Sequence, residues 1–320
     1  MKKKAIVFVG VLIIAAVLFA LLFLPKTETV RSYAMNTFIS VTVKSSYPKK
    51  DADAAIEEVK RIDALMSVTR PSSELSRINS APAGEEVEVS KEVYKLIEFA
   101  LEISQKTEGA FDISINPLSE LWDINSETPH VPANEDIKNA LEAVNYKDIK
   151  LNPKKHSVTL VKEGMSINLG AIAKGYAADC VAKVLNERGV KEAIIDLGGN
   201  VYVLGREKRV GIQTPFKKRG EYFTVCGVAD KSVVTSGAYE RYFEENGNIY
   251  HHILNPKDGY PAESGIKSVS VICRSSALAD GLSTAFYVMG EEKTRKAISL
   301  FDEVEVVILT DEDEVIRICN

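Results

Sequence analysis

The stretch that decides the fold class is SINLGAIAKGYAADCVAKVLNERGVKEAIIDLGGN, residues 166–200. Its two ends, 166–169 and 193–197, are short and mostly apolar runs, which predict strands. The segment between them, 172–188, carries apolar residues at helical spacing. It is followed by Gly189, a residue type common just after helices because glycine adopts positive φ without strain. The stretch therefore predicts a strand, a helix and a second strand.

Elements of both kinds continue on either side of this unit. Periodicity predicts further helices at 51–66, after Ser90, after an N-cap at Asn134 and at 277–289, and further strands at 38–44, 157–161, 222–228, 239–244, 249–254 and 267–273. Asn246-Gly247 supplies the positive φ angles of a tight hairpin turn. Because the order is neither a regular βαβ alternation nor all-β, we expect an α+β domain of largely antiparallel sheets with packed helices.

The composition is that of a globular protein. The chain has 320 residues, of which 45% are hydrophobic and 27% are charged, so it is long enough for a large core. The net charge is -5, and no block of Lys or Arg after the N-terminus forms the positive surface that nucleic acid requires. We therefore expect no nucleic-acid partner.

The N-terminus differs from the rest of the chain. Lysines at 2–4 precede an unbroken apolar run at 5–24, and a bilayer core needs about 20 apolar helical residues. We expect a transmembrane anchor at 1–24, a polar linker at 25–34 and one domain at 35–320. The lysines should stay cytoplasmic, which places the domain outside the cytoplasmic membrane. A long cleaved signal peptide has the same layout and would also export the domain.

Four cysteines are spread over the chain, at Cys180, Cys226, Cys273 and Cys319. They show no close pairs with the spacing of metal ligands, which excludes a zinc ribbon. In an exported domain they can form disulfides in any of three pairings or remain small buried side chains, and the sequence leaves both open. None follows directly after the apolar run, so a lipid-modified N-terminal cysteine is excluded.

The first candidate site lies within 168–179, where a predicted strand runs through Gly170 into a helix. Free backbone amides at a helix start, the partial positive charge there and Lys174 together suit a pyrophosphate. The segment is neither a Walker loop nor a dinucleotide fingerprint, and glycines at such joints usually serve only the turn.

The second candidate is the motif ADGLSTA at 279–285, which places Asp280 and Thr284 four residues apart on one helical face. A hard cation such as Mg²⁺ binds carboxylate and hydroxyl oxygens and often completes its shell with substrate phosphates. An acidic residue near a helix N-terminus, with an unrelated threonine one turn later, produces the same spacing.

The third candidate combines TSGAYERY at 235–242 with HHILNP at 251–256, across the predicted hairpin. Adjacent residues of a strand face opposite sides, so at most one of His251 and His252 enters a given site. A histidine can take a proton from an attacking hydroxyl at neutral pH, although histidines in strands are more often structural.

These three segments, in this order, resemble the ApbE family of FAD:protein FMN transferases, formerly named thiamine biosynthesis lipoproteins. The resemblance covers nearly everything after the anchor and is also carried by Met35-Asn36-Thr37, SELSRIN at 73–79, GAFD at 109–112 and DLGGN at 196–200. It implies Mg²⁺-dependent transfer of FMN from FAD to a Thr or Ser hydroxyl, with release of AMP. The acceptor is expected to be an exported redox protein.

The resemblance also implies roles for individual residues. The FAD contacts would be Met35, Ala110, Phe111, Asp112, Asn168, Lys174, Ser236, Gly237 and the backbone near Leu254. The Mg²⁺ ligands would be Asp280, Thr284 and the carbonyl oxygen of Ala171. His252 matches the histidine beside the pyrophosphate and would act as a base or as an orienting donor.

The sequence departs from the family pattern at three positions of these motifs. Asn168, Ala238 and Asn255 each stand where many members have Asp, so a carboxylate is lost at each. Asn still forms hydrogen bonds, whereas the side chain of Ala238 cannot. Two other functions stay open: an FAD pyrophosphatase, in which water replaces the acceptor hydroxyl, and a non-enzymatic flavin-binding protein.

Overall fold

The computed structural model describes residues 24–218 and 220–320. Its helices are α1 (Pro48–Met66), α2 (Glu74–Ser80), α3 (Lys91–Lys106), α4 (Asn116–Trp122), α5 (Asn134–Leu141), α6 (Ala173–Glu187) and α7 (Ser276–Ala297). Its strands are β1 (Lys26–Ala34), β2 (Thr37–Ser45), β3 (Glu86–Glu88), β4 (Ile149–Asn152), β5 (Ser157–Leu160), β6 (Glu192–Asp196), β7 (Asn200–Gly205), β8 (Lys208–Gln213), β9 (Tyr222–Val228), β10 (Lys231–Gly237), β11 (Tyr242–Glu245), β12 (Asn248–His251), β13 (Ile266–Cys273), β14 (Glu305–Thr310) and β15 (Val315–Cys319). The anchor predicted at 1–24 lies, apart from Leu24, outside the described residues. None of the helices described is both long enough and apolar enough to cross a membrane.

Eight strands form the main sheet, in the order β1-β2-β6-β7-β10-β13-β14-β15. Every pairing between neighbours in this sheet is antiparallel. The smaller sheets, β3-β5-β4, β8-β9 and β11-β12, are antiparallel as well. The predicted α+β class with largely antiparallel sheets is therefore confirmed.

The two faces of the main sheet are covered by different elements. On one face α7 packs against β10 and β13, α6 packs between α1 and α7, and α1 packs against β1 and β2. These contacts bury the main hydrophobic core. The β8-β9 hairpin covers the opposite face through a separate apolar cluster made of Val203, Ile212, Cys226, Val228, Val233, Ile272 and Val307. Alternate residues of β10 therefore face either the helices or the hairpin.

α6 and α7 cross at a point where no side chain fits between them. A Cβ atom on Gly175 would lie 2.6 Å from the carbonyl carbon of Ser276 and 2.8 Å from the Cα of Ala277. Asp179, one turn further along α6, accepts hydrogen bonds from the backbone N–H groups of Ser276 and Ala277 at 2.8 and 3.0 Å. It thereby satisfies two of the free donors at the start of α7. Gly175 and Asp179 together position one helix on the other.

One end of the main sheet carries several of the predicted site residues. The turn between β1 and β2 is Met35-Asn36, and both residues have positive φ, 52° and 57°. The turn between β6 and β7 is Gly198-Gly199, with φ of 70° and 85°. The end of β10 lies beside this second turn, because the N–H of Thr235 donates to the carbonyl of Gly199 at 3.1 Å. Met35 and the Ser236-Gly237 segment therefore reach the same end of the sheet.

A smaller core holds the β11-β12 hairpin against α4 and α5. Its buried members are Leu118, Trp122, Ile137, Phe243 and Leu254. Tyr250 of β12 stacks on Trp122 and on Phe243, with ring centroids 5.7 and 5.3 Å apart, and Trp122 Nε1 donates to the carbonyl of Gly259 at 2.8 Å. The turn of the hairpin is Asn246-Gly247, as predicted, with φ of 53° and 79°. This core positions the hairpin that leads to the two histidines.

The segment 25–34, predicted as a linker, forms β1 instead. It pairs with β2 over its whole length, from Lys26 opposite Ser45 to Ala34 opposite Thr37. Val30 and Ala34 face the main core, so alternate residues of this polar segment supply the apolar side that a strand needs. The domain therefore begins before residue 35.

The segment 166–169, predicted as a strand, does not pair with any strand. The side chain of Asn79 donates to the carbonyl of Ile167 at 2.9 Å and accepts its N–H at 2.8 Å. The N–H of Asn168 donates to the carbonyl of Ile113 at 2.7 Å. Because these groups satisfy the backbone of the segment, it needs no neighbouring strand.

Two helix boundaries also differ from expectation. Asn134 is the first residue of α5, after Ala133 at the cap position, and its side-chain oxygen accepts the hydroxyl of Tyr260 at 2.6 Å. The helix predicted at 277–289 is present, but after a kink at Gly290, with φ of 76°, helical turns continue to Ala297.

All four cysteines are free thiols.

Candidate functional site

Asp280 on α7 is the centre of the candidate site. It is 4% exposed, and its Oδ2 accepts the backbone N–H of Gly175 at 2.8 Å. Lys174 Nζ lies 3.9 Å from Oδ1 of the same carboxylate and 3.4 Å from the carbonyl oxygen of Gly170. Burial raises the pKa of Asp280, while the charge of Lys174 and the hydrogen bond from Gly175 oppose the rise. The ionised carboxylate is therefore incompletely compensated by its surroundings.

Three hydroxyl groups, on α7 after Asp280 and at the end of β10, lie close to one another. Ser236 Oγ is 2.8 Å from Ser283 Oγ and 3.4 Å from Thr284 Oγ1. The hydroxyl of Ser283 donates to the carbonyl of Asp280 at 2.9 Å. Thr284 follows Asp280 by one helical turn, so the two predicted metal ligands share a face of α7 as expected.

The donor atoms here suit a hard divalent cation. Among the described residues, Asp280 Oδ1 accepts no hydrogen bond, and Thr284 Oγ1 has only the long contact to Ser236. Carboxylate and hydroxyl oxygens are the ligands that Mg²⁺ prefers. Ala171 lies directly before Ile172, the cap residue of α6, so its backbone lies at the same helix start as Lys174. The residues present therefore fit the predicted ion.

His252 follows the last residue of β12, and its ring is half-buried. Nδ1 lies 3.2 Å from the carbonyl oxygen of Arg241, which also accepts the backbone N–H of His252 at 3.2 Å. A carbonyl oxygen only accepts, so Nδ1 carries the proton and Nε2 keeps a free lone pair. Burial first, and then the positive charges of Arg241 and Lys174, lower the pKa of His252 to about 3. The site therefore holds a neutral imidazole within electrostatic range of Lys174.

His251 is a residue of the core. It is 6% exposed, its ring meets the ring of Tyr287 edge-on at 5.5 Å, and its Nδ1 accepts the N–H of Ile253 at 3.3 Å. Burial lowers the pKa of His251 to about 4. The two histidines face different surroundings, as the strand geometry predicts. Leu254, two residues after His252, pairs through its backbone with Pro261.

The segment 110–112 is buried, and its acidic residue bonds within the protein. Asp112 Oδ1 accepts the N–H and the hydroxyl of Ser114 at 2.8 and 2.6 Å, and Oδ2 accepts the N–H of Tyr146 at 2.9 Å. Burial raises the pKa of Asp112, and these hydrogen bonds oppose the rise. Ala110 and Phe111 are 7% and 2% exposed. The side chains of this segment are therefore buried or bonded within the protein, and their predicted contact with FAD stays a prediction.

Asn168 bonds in the same way to residues beside it. Its Oδ1 accepts the N–H of Gly170 at 2.8 Å, and its Nδ2 donates to Asn116 Oδ1 at 3.1 Å. Through its bond to Ile113, Asn168 lies directly against the segment that follows Asp112. The structure thus brings two of the predicted FAD-binding segments together.

Several residues that build the site were not singled out from the sequence. Gly175 and Asp179 lie inside the motif at 168–179, and Ser283 lies inside the motif at 279–285, so the segments were identified but not these roles. Arg241 acts through its carbonyl oxygen and its charge. A backbone acceptor leaves no signal in side-chain chemistry, so only the hairpin geometry reveals it.

Known proteins are similar to this chain along nearly the whole domain. A sequence profile described as the ApbE family matches residues 35–308. The chain belongs to the ApbE family. A relative from Treponema pallidum (strain Nichols), named FAD:protein FMN transferase, is 34% identical over 297 residues, which cover 86% of this chain and 82% of the relative. One of the same name from Klebsiella pneumoniae (strain 342) is 36% identical over 271 residues, 85% of each chain. The crystal structure of the ApbE protein from Thermotoga maritima has a TM-score of 0.84 at 34% identity, and covers 91% of this chain and 97% of that one.

The three positions at which this chain departs from the ApbE family pattern differ in the contacts that their side chains make. Asn168 uses its amide to hold Gly170 and Asn116, as described above. The side chain of Asn255 donates to Asp258 Oδ2 at 2.6 Å and accepts the N–H of Lys257 at 3.1 Å, so it closes the turn after Leu254. Ala238 is half-buried and packs against the main core. At two of the three positions, the Asn side chain of this ApbE chain therefore forms hydrogen bonds within the protein.

Proposed function

We propose that this chain transfers FMN from FAD to a Thr or Ser hydroxyl of a protein acceptor and releases AMP. Membership of the ApbE family, whose relatives are named FAD:protein FMN transferases, supports this reaction. The observation that carries the proposal is the neutral His252, with a free Nε2, in the electrostatic range of the Lys174–Asp280 pair. A base and an anion-binding charge are then present in one site.

The transfer is a phosphoryl substitution without any redox step. The acceptor oxygen forms a bond to the flavin-side phosphorus of FAD, and the bond from that phosphorus to the oxygen bridging the two phosphates breaks. AMP leaves with the bridging oxygen and its electron pair. The hydroxyl proton passes to Nε2 of His252, whose lone pair is free because the carbonyl of Arg241 holds the proton on Nδ1.

Positive charge at the site is placed to hold the pyrophosphate. Lys174 Nζ lies at the start of α6, where free backbone N–H groups add a partial positive charge. Arg241 forms no ion pair with any described residue, and its charge reaches His252. Both cations are therefore available for the phosphate oxygens of FAD.

A bound Mg²⁺, held by Asp280, Thr284 and the carbonyl oxygen of Ala171, would neutralise charge on the phosphates and on the departing AMP. The carboxylate of Asp280 is suited to this because it is buried and lacks a full counter-charge. Lys174, at 3.9 Å, adds a second charge without closing the carboxylate off.

The acceptor and the location belong to the same proposal. The lysines at 2–4 and the apolar run at 5–24 support an anchored domain outside the cytoplasmic membrane, so the acceptor is an exported protein. A redox protein is the expected acceptor, because covalent attachment keeps a flavin from diffusing away in an open compartment. The described residues begin at Leu24, and the anchor itself rests on the sequence alone.

The deciding experiment mixes the full-length chain in detergent with FAD, MgCl₂ and the exported proteins of the cell that makes it. Transfer gives a fluorescent band on a denaturing gel and an FMN-sized mass gain on one Thr or Ser of that protein. AMP and free FMN formed at the same rate with every protein tried, and no mass gain, would identify a pyrophosphatase instead. Binding of FAD without any AMP would leave only a flavin-binding protein.

Two substitutions of His252 separate the base from an orienting donor. Asn can still donate to the carbonyl of Arg241 but has no equivalent of Nε2, whereas Ala has neither group. If the histidine is the base, His252→Asn and His252→Ala lose transfer to a similar extent, about 10²–10⁴-fold. Retained transfer in His252→Asn alone would assign an orienting role. His130, which is exposed, provides the control His130→Ala with unchanged transfer.

A further inference from the structure

Three aromatic rings form a cluster next to the site, here called the aromatic platform: Phe216 and Tyr242, which are exposed, and Tyr239, which is half-buried. The ring centroid of Phe216 lies 6.1 Å from that of Tyr239 and 5.5 Å from that of Tyr242, and both pairs meet edge-on. Phe216 is 48% exposed and Tyr242 is 39% exposed. A contiguous exposed apolar patch of this kind marks an interaction site more often than single exposed side chains do.

The loop that carries Phe216 is held by side-chain hydrogen bonds. The side-chain amide of Gln213 donates to the carbonyl of Lys218 at 2.9 Å, and its oxygen accepts the N–H of Gly220 at 3.1 Å. Phe216 itself has φ of 57°, a left-handed conformation that is unfavourable for a bulky residue. Strain of this type persists where the surrounding structure enforces it, and it is concentrated at functional positions.

The platform borders the site on two sides. The ring of Tyr239 covers Gly237, where a Cβ atom would collide with Cε1 and Cδ1 of the ring, and the preceding Ser236 contacts Thr284 at 3.4 Å. Tyr242 directly follows Arg241, whose carbonyl holds His252. The platform is thus continuous with both the predicted metal ligand and the predicted base.

The platform nevertheless lies outside the pocket that holds the phosphates. Ser236 points toward α7, where it meets Ser283 and Thr284. Gly237, the next residue of β10, faces the opposite side of the sheet, and the ring of Tyr239 lies there. An occupant of the platform therefore approaches from the outer side of the sheet, beside the β8-β9 hairpin.

Two positive charges, Lys217 and Lys218, directly follow Phe216 along the chain. Lys217 and Lys218 are exposed and form no ion pair with a described residue. Glu221 and Glu240 are the acidic residues closest in sequence. A partner with acidic residues near an apolar side chain complements this surface.

We propose that the aromatic platform is the docking surface for the protein acceptor, and that it recognises an apolar side chain flanked by an acidic residue close to the reacting Thr or Ser. The inference rests on the proposed function. The apolar side chain would rest on Phe216 and Tyr242, and the acidic residue would face Lys217 and Lys218. The acceptor segment would then pass around the end of β10, so that its hydroxyl reaches the side of the sheet on which His252 meets the phosphates. Such docking supplies the positional advantage that lets a protein hydroxyl compete with water.

The test uses the full-length chain and the unmodified form of the acceptor, which is first identified by the fluorescence that it gains in the transfer assay and is then purified from cells that lack this chain. Phe216→Ala should raise the KM for that acceptor about tenfold or more, because truncating an aromatic anchor costs an interface at least this much. The Kd for FAD, measured by flavin fluorescence, should change less than about twofold, because the platform faces away from the phosphate site. Phe216→Tyr should restore the wild-type KM. The double charge reversal Lys217→Glu, Lys218→Glu should raise the KM at low salt and have less effect at high salt.

Leu300→Ala is the matched control, because Leu300 is 53% exposed and follows the far end of α7. It should leave the KM unchanged. A wild-type KM in Phe216→Ala, with normal thermal unfolding, would overturn the docking surface. A weakened FAD affinity in the same variant would assign the platform to the flavin and overturn it too. If the wild-type chain modifies no protein, the proposed function fails and the docking surface fails with it.

Discussion

Gly175→Ala tests whether the close approach of α6 and α7 positions the reacting groups. The new Cβ atom would lie 2.6 Å from the carbonyl carbon of Ser276, and ordinary contacts of this kind begin at 3.4 Å, so the helices must separate by about 0.8 Å or more. The obstructing atoms are backbone, which has no rotamer to change. Overpacking of this kind costs about 1–3 kcal/mol of the free energy of unfolding.

The same displacement acts directly on the candidate site. The N–H of Gly175 donates to Asp280 Oδ2 at 2.8 Å, and this bond passes the limit of a hydrogen bond when the helices separate by about 0.8 Å. Lys174, which is 3.9 Å from Oδ1, moves with α6. Because a displacement of about 1 Å at reacting groups costs on the order of 10²-fold in rate, we expect kcat/KM to fall about 100-fold in a protein that still folds.

The assay measures AMP release and FMN attachment, and urea unfolding gives the stability. Gly189→Ala is the matched control: its φ of 79° strains an alanine, but a Cβ there meets no atom within 4 Å. It should lose about 1–2 kcal/mol of stability and keep its activity. Wild-type activity in Gly175→Ala would refute the positioning argument. An equal loss of activity in Gly189→Ala would show that lost stability, and not helix spacing, is responsible.

Three further predictions follow from the site. Burial raises the pKa of Asp280 above its value in the unfolded chain, so ionisation of this carboxyl destabilises the fold fully above the folded pKa and not at all below the unfolded pKa. Asp280→Asn should therefore abolish turnover and yet, in chelator at pH 8, unfold at a temperature equal to or higher than that of the wild type. A lower unfolding temperature would contradict this. Thr284→Ala should lose less activity than Asp280→Ala and should be partly rescued by more Mg²⁺, because it removes a ligand without removing charge. Because the pKa of His252 is lowered to about 3, kcat/KM should not fall with an apparent pKa near 6.5 when the pH is decreased from 8 to 5. A fall of that kind would refute the conclusion that His252 is neutral in the free enzyme.

The regular elements near the site could be predicted because their signals are local. Asn246-Gly247 forms the hairpin turn because both residues tolerate positive φ, and Gly189 ends α6 for the same reason. The strand predicted at 166–169 is absent for a reason that lies elsewhere in the chain. Its backbone is bonded by Asn79, 88 residues away along the chain, and no pattern within the segment reports a partner at that distance.

In the candidate site, too, the local features could be predicted and the non-local ones could not. The motif at 279–285 places Asp280 and Thr284 on one face of α7 because helical geometry alone decides it. Whether that face meets Lys174 depends on the crossing at Gly175 and on Asp179, whose carboxylate bonds the start of α7 about 97 residues further along the chain. A glycine and an aspartate in α6 have many local uses, so their function at the crossing appears only when the two helices are packed.

By itself the sequence determined the family, the order of most helices and strands and the segments that form the site, because periodicity, turn chemistry and motif spacing are written within short stretches. Only the tertiary structure decided which nitrogen of His252 is free, since that depends on the carbonyl of Arg241 across the hairpin. It also decided that His251 belongs to the core beside Tyr287, and that Phe216 joins the aromatic platform. Protonation, burial and exposure are properties of a side chain's surroundings, and those surroundings are assembled from residues far apart in the chain.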